Sequence, residues 1–221
     1  MTWPLSLCVT LLCVVVLLLS AHHTAAVEKD DAMVTCGSMV KLKHVPTGFR
    51  LHSHEIPYGN GNGGSGQQSV TAHSAPVEVN SYWIVKGAHG SDCTPGAKIP
   101  NGATIRLMHA PTRKNLHTHN QFRSPLSQQQ EVSCYGQDGE GDKGDNWRLR
   151  IIGGTGVWTK SDQFRLHHEQ TGFYLHSHQH RYDIQIIQGQ QEVTGFQQAN
   201  NDNLWTVAEG VFLPVRKPDE L

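Results

Sequence analysis

The sequence has no charged residue before Glu28. Within that stretch Leu5 to Leu19 is apolar apart from Ser6 and Thr10, the length of a signal-peptide core and short of the ~20 residues a membrane-spanning helix needs. Residues 1–26 therefore read as a secretory signal, cut after Ala26 or after Ala21, although its start lacks the customary Lys or Arg. An uncleaved anchor is the alternative. No comparable apolar run follows, so no membrane insertion is expected of the remaining chain.

Charge of either sign is not in excess, with 18 Lys and Arg against 19 Asp and Glu. That balance leaves no electrostatic footprint for nucleic acid or an acidic membrane surface. After the signal only Cys36, Cys93 and Cys134 remain, and no Cys-x-x-Cys occurs, which disfavours a thioredoxin-type oxidoreductase. There is no Gly-x-Ser-x-Gly, no His-Glu-x-x-His and no phosphate-cradling glycine loop. The chain is expected not to be an enzyme and to need no cofactor. It has no Asn-x-Ser/Thr sequon either, since Asn80-Ser81 is followed by Tyr82, so N-glycosylation is not expected.

What is present is repetition. Val40-x-Leu42-x-His44-x-x-Thr47-x-x-x-Leu51-His52-Ser53-His54 returns as Ile105-x-Leu107-x-His109-x-x-Thr112-x-x-x-Leu116-His117-Thr118-His119. It returns again as Phe164-x-Leu166-x-His168-x-x-Thr171-x-x-x-Leu175-His176-Ser177-His178. A Gln-Gln pair and a valine follow each time, at Gln67-Gln68-Ser69-Val70, Gln129-Gln130-Glu131-Val132 and Gln190-Gln191-Glu192-Val193, and Trp83, Trp147 and Trp205 close the units. The spacing is 65 then 59 residues from His44 to His109 to His168. Three copies of one unit account for nearly the whole mature chain.

Within a unit the pattern is β. Val40-Leu42-His44 alternates with period two, a Pro/Thr/Gly turn follows, and Leu51-His52-Ser53-His54 alternates again, which predicts a hairpin. With 22 Gly and 10 Pro, and few apolar stretches at helical spacing, an all-β fold is expected. Three similar units have too few blades for a propeller and no distinct caps for a solenoid. Closing them around a pseudo-threefold axis buries the strand edges, so a single β-trefoil is predicted. It spans 27–215, in units of about 33–92, 93–157 and 158–215, with a tail at 216–221.

Cys36 and Cys93 stand just upstream of successive units, and in an oxidising lumen they are the expected disulfide. Cys134 is then left over, as a small buried residue or an intermolecular thiol.

Nine of fifteen histidines fall at matched positions. Each unit offers two imidazoles as His-x-His on one strand face, with no carboxylate or thiolate at fixed spacing, so a metal site is not expected. Leu51, Leu116 and Leu175 should point inward, and His52, His54, His117, His119, His176 and His178 to the opposite face, hydrogen-bonding turns and neighbouring strands. His44, His109 and His168 share the inward register and should be buried. Asp138 to Asp145 alternates acids like a calcium loop. Lys143 stands where the turn glycine belongs and Leu149 where the bidentate Glu belongs, so a solvated hairpin loop is expected. The sequence stops at Pro218-Asp219-Glu220-Leu221, which resembles the endoplasmic-reticulum retrieval signal except for its proline.

The Leu-His-[Ser/Thr]-His anchor, the Gln-Gln-x-Val element and the closing Trp resemble three MIR motifs, the β-trefoil unit shared by protein O-mannosyltransferases and by inositol trisphosphate and ryanodine receptors. The order of signal, Val34-Thr35-Cys36-Gly37-Ser38, three units, Ala208-Glu209-Gly210-Val211-Phe212 and Asp-Glu-Leu resembles the stromal cell-derived factor 2 family. That resemblance implies a non-enzymatic protein of the endoplasmic-reticulum lumen. Its implied partners are a J-domain co-chaperone, the lumenal Hsp70, misfolded clients kept from aggregating, and the retrieval receptor. The competing expectation is a glycan-binding trefoil accessory to O-mannosylation. Such a site would pair an exposed aromatic with carboxylate and amide groups.

Overall fold

The computed structural model describes residues 33–59, 64–91, 93–154, 156–183 and 186–217. The signal segment 1–26 and the tetrapeptide Pro218 to Leu221 lie outside the described residues. Twelve strands carry the fold: β1 Met39–His44, β2 Arg50–Pro57, β3 Gln68–His73, β4 Trp83–Gly87, β5 Thr104–His109, β6 Asn115–Arg123, β7 Gln130–Tyr135, β8 Trp147–Ile151, β9 Gln163–His168, β10 Tyr174–Arg181, β11 Gln191–Phe196 and β12 Trp205–Val211. A single-turn 3-10 segment precedes the last strand of each unit, at Val79–Ser81, Lys143–Asp145 and Asn201–Asn203. Among the described residues no helix is long and apolar enough to cross a membrane.

All pairings are antiparallel and they close two rings. β1, β4, β5, β8, β9 and β12 pair in a cycle that forms a six-stranded barrel. The hairpins β2–β3, β6–β7 and β10–β11 form a cap, and their second strands pair with one another through β3–β7, β7–β11 and β11–β3. This is the β-trefoil, in which each unit gives two barrel strands and one cap hairpin. Closing the barrel gives each of its six strands a neighbour on both sides, while the outer edges of β2, β6 and β10 in the cap meet the barrel only at single residue pairs.

The expected hairpin between the first two strands of a unit is corrected by these pairings. β1 meets β2 only at Lys43↔Arg50 and β5 meets β6 only at Met108↔Asn115. The turn after His44, His109 or His168 is a corner where the chain leaves the barrel for the cap, so its two arms diverge.

The core is built from matched positions. Leu42, Leu107 and Leu166 form one apolar set, Leu51, Leu116 and Leu175 another, and Trp83, Trp147 and Trp205 a third, all wholly buried. Trp158 joins them, packed edge-on against Phe164 at 4.9 Å. Cys134 is buried where the other units place Ala72 and Gly195, in each case two residues after a core valine, Val132, Val70 and Val193. It is a free thiol whose burial pushes its pKa up to about 12.

A disulfide joins Cys36 to Cys93, with Cα atoms 5.9 Å apart. It clasps the two loops that hold residues 213–216. Thr35 Oγ1 donates to the Leu213 carbonyl at 2.7 Å, Leu213 N–H donates to Ser38 Oγ at 3.1 Å, and Arg216 N–H donates to the Gly96 carbonyl at 3.0 Å. Gly37 adopts φ +81°, a conformation that favours glycine, and a Cβ there would lie 2.8 Å from the tip of the Leu213 side chain. The bridge spans 57 residues, a loop whose closure stabilises the folded chain by about 4 kcal/mol on the chain-entropy model. Replacing Cys36 and Cys93 by Ser is expected to cost that order of stability in denaturant unfolding and to speed amide exchange at Leu213 and Arg216. Stability unchanged within about 1 kcal/mol would refute the role given to the bridge.

Candidate functional site

The repeated polar residues are the natural place to seek a site, and the structure commits them to holding the units together. In each unit the barrel histidine bridges to the 3-10 turn of the preceding unit. His109 Nε2 donates to the Asn80 carbonyl at 2.9 Å, His168 Nε2 to Gly144 at 2.9 Å, and His44 Nε2 to Asp202 at 3.0 Å. Carbonyls only accept, so each ring carries its proton on Nε2 and its Nδ1 accepts from the threonine three residues on. Those contacts are 2.8 Å to Thr47, 2.8 Å to Thr112 and 2.9 Å to Thr171. Desolvation pushes His109 and His168 down to about 4, partly offset by the bonded carbonyl, and lowers His44 by the same cause.

The glutamine pairs continue this lattice. Gln68 Nε2 donates to Thr112 Oγ1 of the second unit at 3.0 Å, and Gln130 Nε2 to Thr171 Oγ1 of the third at 3.1 Å. The first glutamine of each pair accepts across the axis. Gln67 takes the Ser133 hydroxyl, Gln129 takes Thr194 at 2.6 Å, and Gln190 takes Thr71. The three units are thus bonded head to tail in a complete cycle. Each tryptophan works within its own unit, its Nε1 donating at 3.0 Å to the carbonyl of Leu51, Leu116 or Leu175.

The cap histidines leave the leucine face, as strand alternation requires, but three of them are not on an open surface. His52, His117 and His176 are buried beneath the 3-10 turns. Their Nδ1 atoms meet Ser81 Oγ at 3.2 Å, Asp145 Oδ1 at 2.9 Å and Asn203 Nδ2 at 3.2 Å. Burial and neighbouring imidazoles push His52 and His176 down to about 3. His54, His119 and His178 are half-buried, and His178 Nε2 bonds the buried carboxylate of Glu192 at 2.8 Å. These partners lie 14 to 29 residues away in sequence, so the alternation signal did not name them.

The segment expected as a solvated loop is also corrected. Asp138 and Glu140 are exposed, but Asp145 is wholly buried, its Oδ2 accepting the Asp142 N–H at 3.0 Å and Asn115 Nδ2 at 3.1 Å. The run ends in a capped 3-10 turn because Asp142 and Asp145 are spaced to satisfy each other's backbone donors.

With most of the repeated residues committed inward, surface chemistry falls mainly to unrepeated positions, with Gln67 the exception. A cleft of about 600 Å³ between the first two units is lined by Glu55, Gln67, Lys114, Tyr135 and Gln137, and Tyr135 is 40% exposed. Val77 and Val79 project into solvent, 93% and 66% exposed, on the loop before β4. A family model described as the MIR domain matches residues 76–206. The stromal cell-derived factor 2-like protein of Arabidopsis thaliana is 48% identical over 198 residues, covering 90% of this chain and 88% of the relative. The chain belongs to the stromal cell-derived factor 2 family. The crystal structure of the Arabidopsis SDF2-like protein superposes with a TM-score of 0.79 at 49% identity, covering 84% of this chain and 99% of that one. This family fold also resembles part of a larger assembly, the S. cerevisiae protein O-mannosyltransferase Pmt1–Pmt2 complex bound to the sugar donor. That match has a TM-score of 0.71 at 30% identity and covers 85% of this chain and 26% of that chain.

Proposed function

We propose that this protein is a non-enzymatic adaptor of the endoplasmic-reticulum lumen that joins a J-domain co-chaperone and the lumenal Hsp70 and limits aggregation of misfolded clients. The observation that carries the reading is membership of the stromal cell-derived factor 2 family over nine-tenths of the chain. In this reading residues 1–26 direct entry, 27–215 form the adaptor, and Pro218 to Leu221 engage the retrieval receptor. The Cys36–Cys93 bridge suits an oxidising compartment. A threefold lattice that spends its repeated histidines, glutamines and tryptophans on itself makes a rigid body, and rigidity lowers the entropic cost of docking a partner. The exposed Val77 and Val79 and the cleft at Tyr135 are surfaces such a body offers.

Affinity purification from stressed cells tests this, with a tag placed after residue 26 so that the C-terminal residues stay free. Near-stoichiometric recovery of a J-domain protein and the lumenal Hsp70 is the expected result; their absence from a correctly localised protein would contradict it. A second reading, a glycan-directed trefoil accessory to O-mannosylation, is favoured by one observation. The cleft at Tyr135 sets an exposed aromatic beside Glu55 and the amides Gln67 and Gln137. Glycan binding that is released by free sugar and lost in Tyr135→Ala would establish it instead.

A further inference from the structure

We propose that the second unit carries a site for a divalent transition-metal cation of the Zn²⁺ or Mn²⁺ class, formed by His117, Asp142 and Asp145. One nitrogen of His117 and one oxygen of each carboxylate lie within 4.8 Å of one another. His117 Nδ1 is 2.9 Å from Asp145 Oδ1 and 3.7 Å from Asp142 Oδ1. A cation that holds imidazole nitrogen and carboxylate oxygen at about 2.0–2.2 Å spans such separations with small side-chain shifts. One imidazole with two carboxylates suits borderline Zn²⁺ best and the harder Mn²⁺ next, ahead of Ca²⁺ or Mg²⁺, which take oxygen ligands.

Independent features of the surroundings point the same way. Asn115, wholly buried, donates through Nδ2 to Asp145, while its Oδ1 has no hydrogen-bond partner. An unbonded buried acceptor is costly, although the end of this amide that faces the cluster is Nδ2, which donates to Asp145 and to the Gly139 carbonyl at 3.1 Å. Gly144 leaves the cluster open, since a Cβ there would lie 2.9 Å from both His117 Nδ1 and Asp142 Oδ1. A cleft of about 440 Å³ lined by His117, His119, Asp142 and Lys143 gives access from solvent. Asp145 now bonds His117 Nδ1, whose proton leaves to solvent as the metal takes its place.

The other two units act as internal controls. They keep the histidine, as His52 and His176, but place Ser81 and Asn203 where the second has Asp145, and Glu78 and Asn200 where it has Asp142. Only the second unit has both carboxylates. The third shows that the turn folds without them. Asn203 Oδ1 accepts the Asn200 N–H at 2.6 Å, and Asn203 Nδ2 donates to His176 Nδ1 at 3.2 Å.

The test is equilibrium dialysis of the metal-stripped mature protein against Zn²⁺, Mn²⁺ and Ca²⁺ in separate experiments, with Asp142→Asn/Asp145→Asn alongside. That double variant copies the third unit's amides and is expected to keep the parent's circular dichroism. One saturable equivalent of Zn²⁺ or Mn²⁺ that disappears in the variant is the expected result. No such equivalent, an equivalent that survives in the folded variant, or saturable Ca²⁺ binding in its place would overturn the proposal. X-ray absorption on the parent protein decides the point if the variant misfolds. A first shell with a single imidazole and otherwise oxygen is expected, and two or more imidazoles would place the metal elsewhere.

Discussion

Lowering the pH from 7.5 to 5.0 is expected to remove most of the protein's folding stability. Four histidines, His52, His109, His168 and His176, are held neutral by burial, with pKa values of about 3, 4, 4 and 3 against an ordinary 6.5. The unfolded chain takes up protons as the pH falls through 6.5, whereas the folded chain does so only near 3 to 4. Stability therefore falls with pH across that window and is unaffected above about 7.5. One pKa unit corresponds to 1.36 kcal/mol, so at pH 5.0 each histidine destabilises by about 2 kcal/mol and the four by about 8 kcal/mol. That is comparable to the whole stability of an ordinary domain, about 5–15 kcal/mol. His44, His54 and His119, also lowered by burial, act in the same direction, and so do Glu169 and Glu209 below their ordinary range, where hydrogen bonds to Thr104 and Arg50 hold their carboxylates ionised. Glu131, raised by burial, opposes them weakly. Denaturant midpoints at pH 7.5, 6.0 and 5.0 measure the effect. A midpoint that stays level down to pH 5.0 would mean that these rings are solvated or already charged.

The second large effect is expected at Trp147. Its side chain is wholly buried and its Nε1 donates to the Leu116 carbonyl at 3.0 Å, which joins the last barrel strand of the unit to its cap hairpin. Trp147→Ala opens a cavity worth about 3–5 kcal/mol. It also strips a buried carbonyl of its donor, at about 1–3 kcal/mol. Expected is a loss of about 5 kcal/mol, enough to leave a marginal domain largely unfolded at 37 °C. Trp147→Phe keeps most of the volume and should lose about 2 kcal/mol, chiefly from the unpaired carbonyl. Urea unfolding of the two variants checks both figures. A loss under about 2 kcal/mol for Trp147→Ala would show that the matched tryptophans are not the struts the threefold packing requires.

The threefold plan was legible because it is written three times. Leu42, Leu51, Trp83 and their counterparts recur at fixed spacing, and strand alternation alone puts the leucines inward. The burial of His44, His109 and His168 followed from sharing that register. Partners were not legible where they lie in another unit. Nothing near Gln67 or Gln68 in sequence names Ser133 or Thr112, since those contacts exist only after the rings close. The same holds for His117, whose alternation marks it as outward while the turn 28 residues later covers it with Asp145. The hairpin expected at each barrel histidine failed for a related reason. Two alternating runs across a turn look the same whether the arms pair or diverge, and only the pairing of β1 with β12 and β4 decides.

Threefold closure through fixed, neutral histidines is the physical basis of the rigid adaptor proposed above. The measurement that bears on it most directly is nitrogen-detected NMR of the histidine rings at pH 6.0, where an ordinary imidazole is mostly protonated. His44, His109 and His168 should all be neutral, each with its proton on Nε2 and slow to exchange. Cationic rings at those positions, or rings exchanging between tautomers, would contradict the lattice.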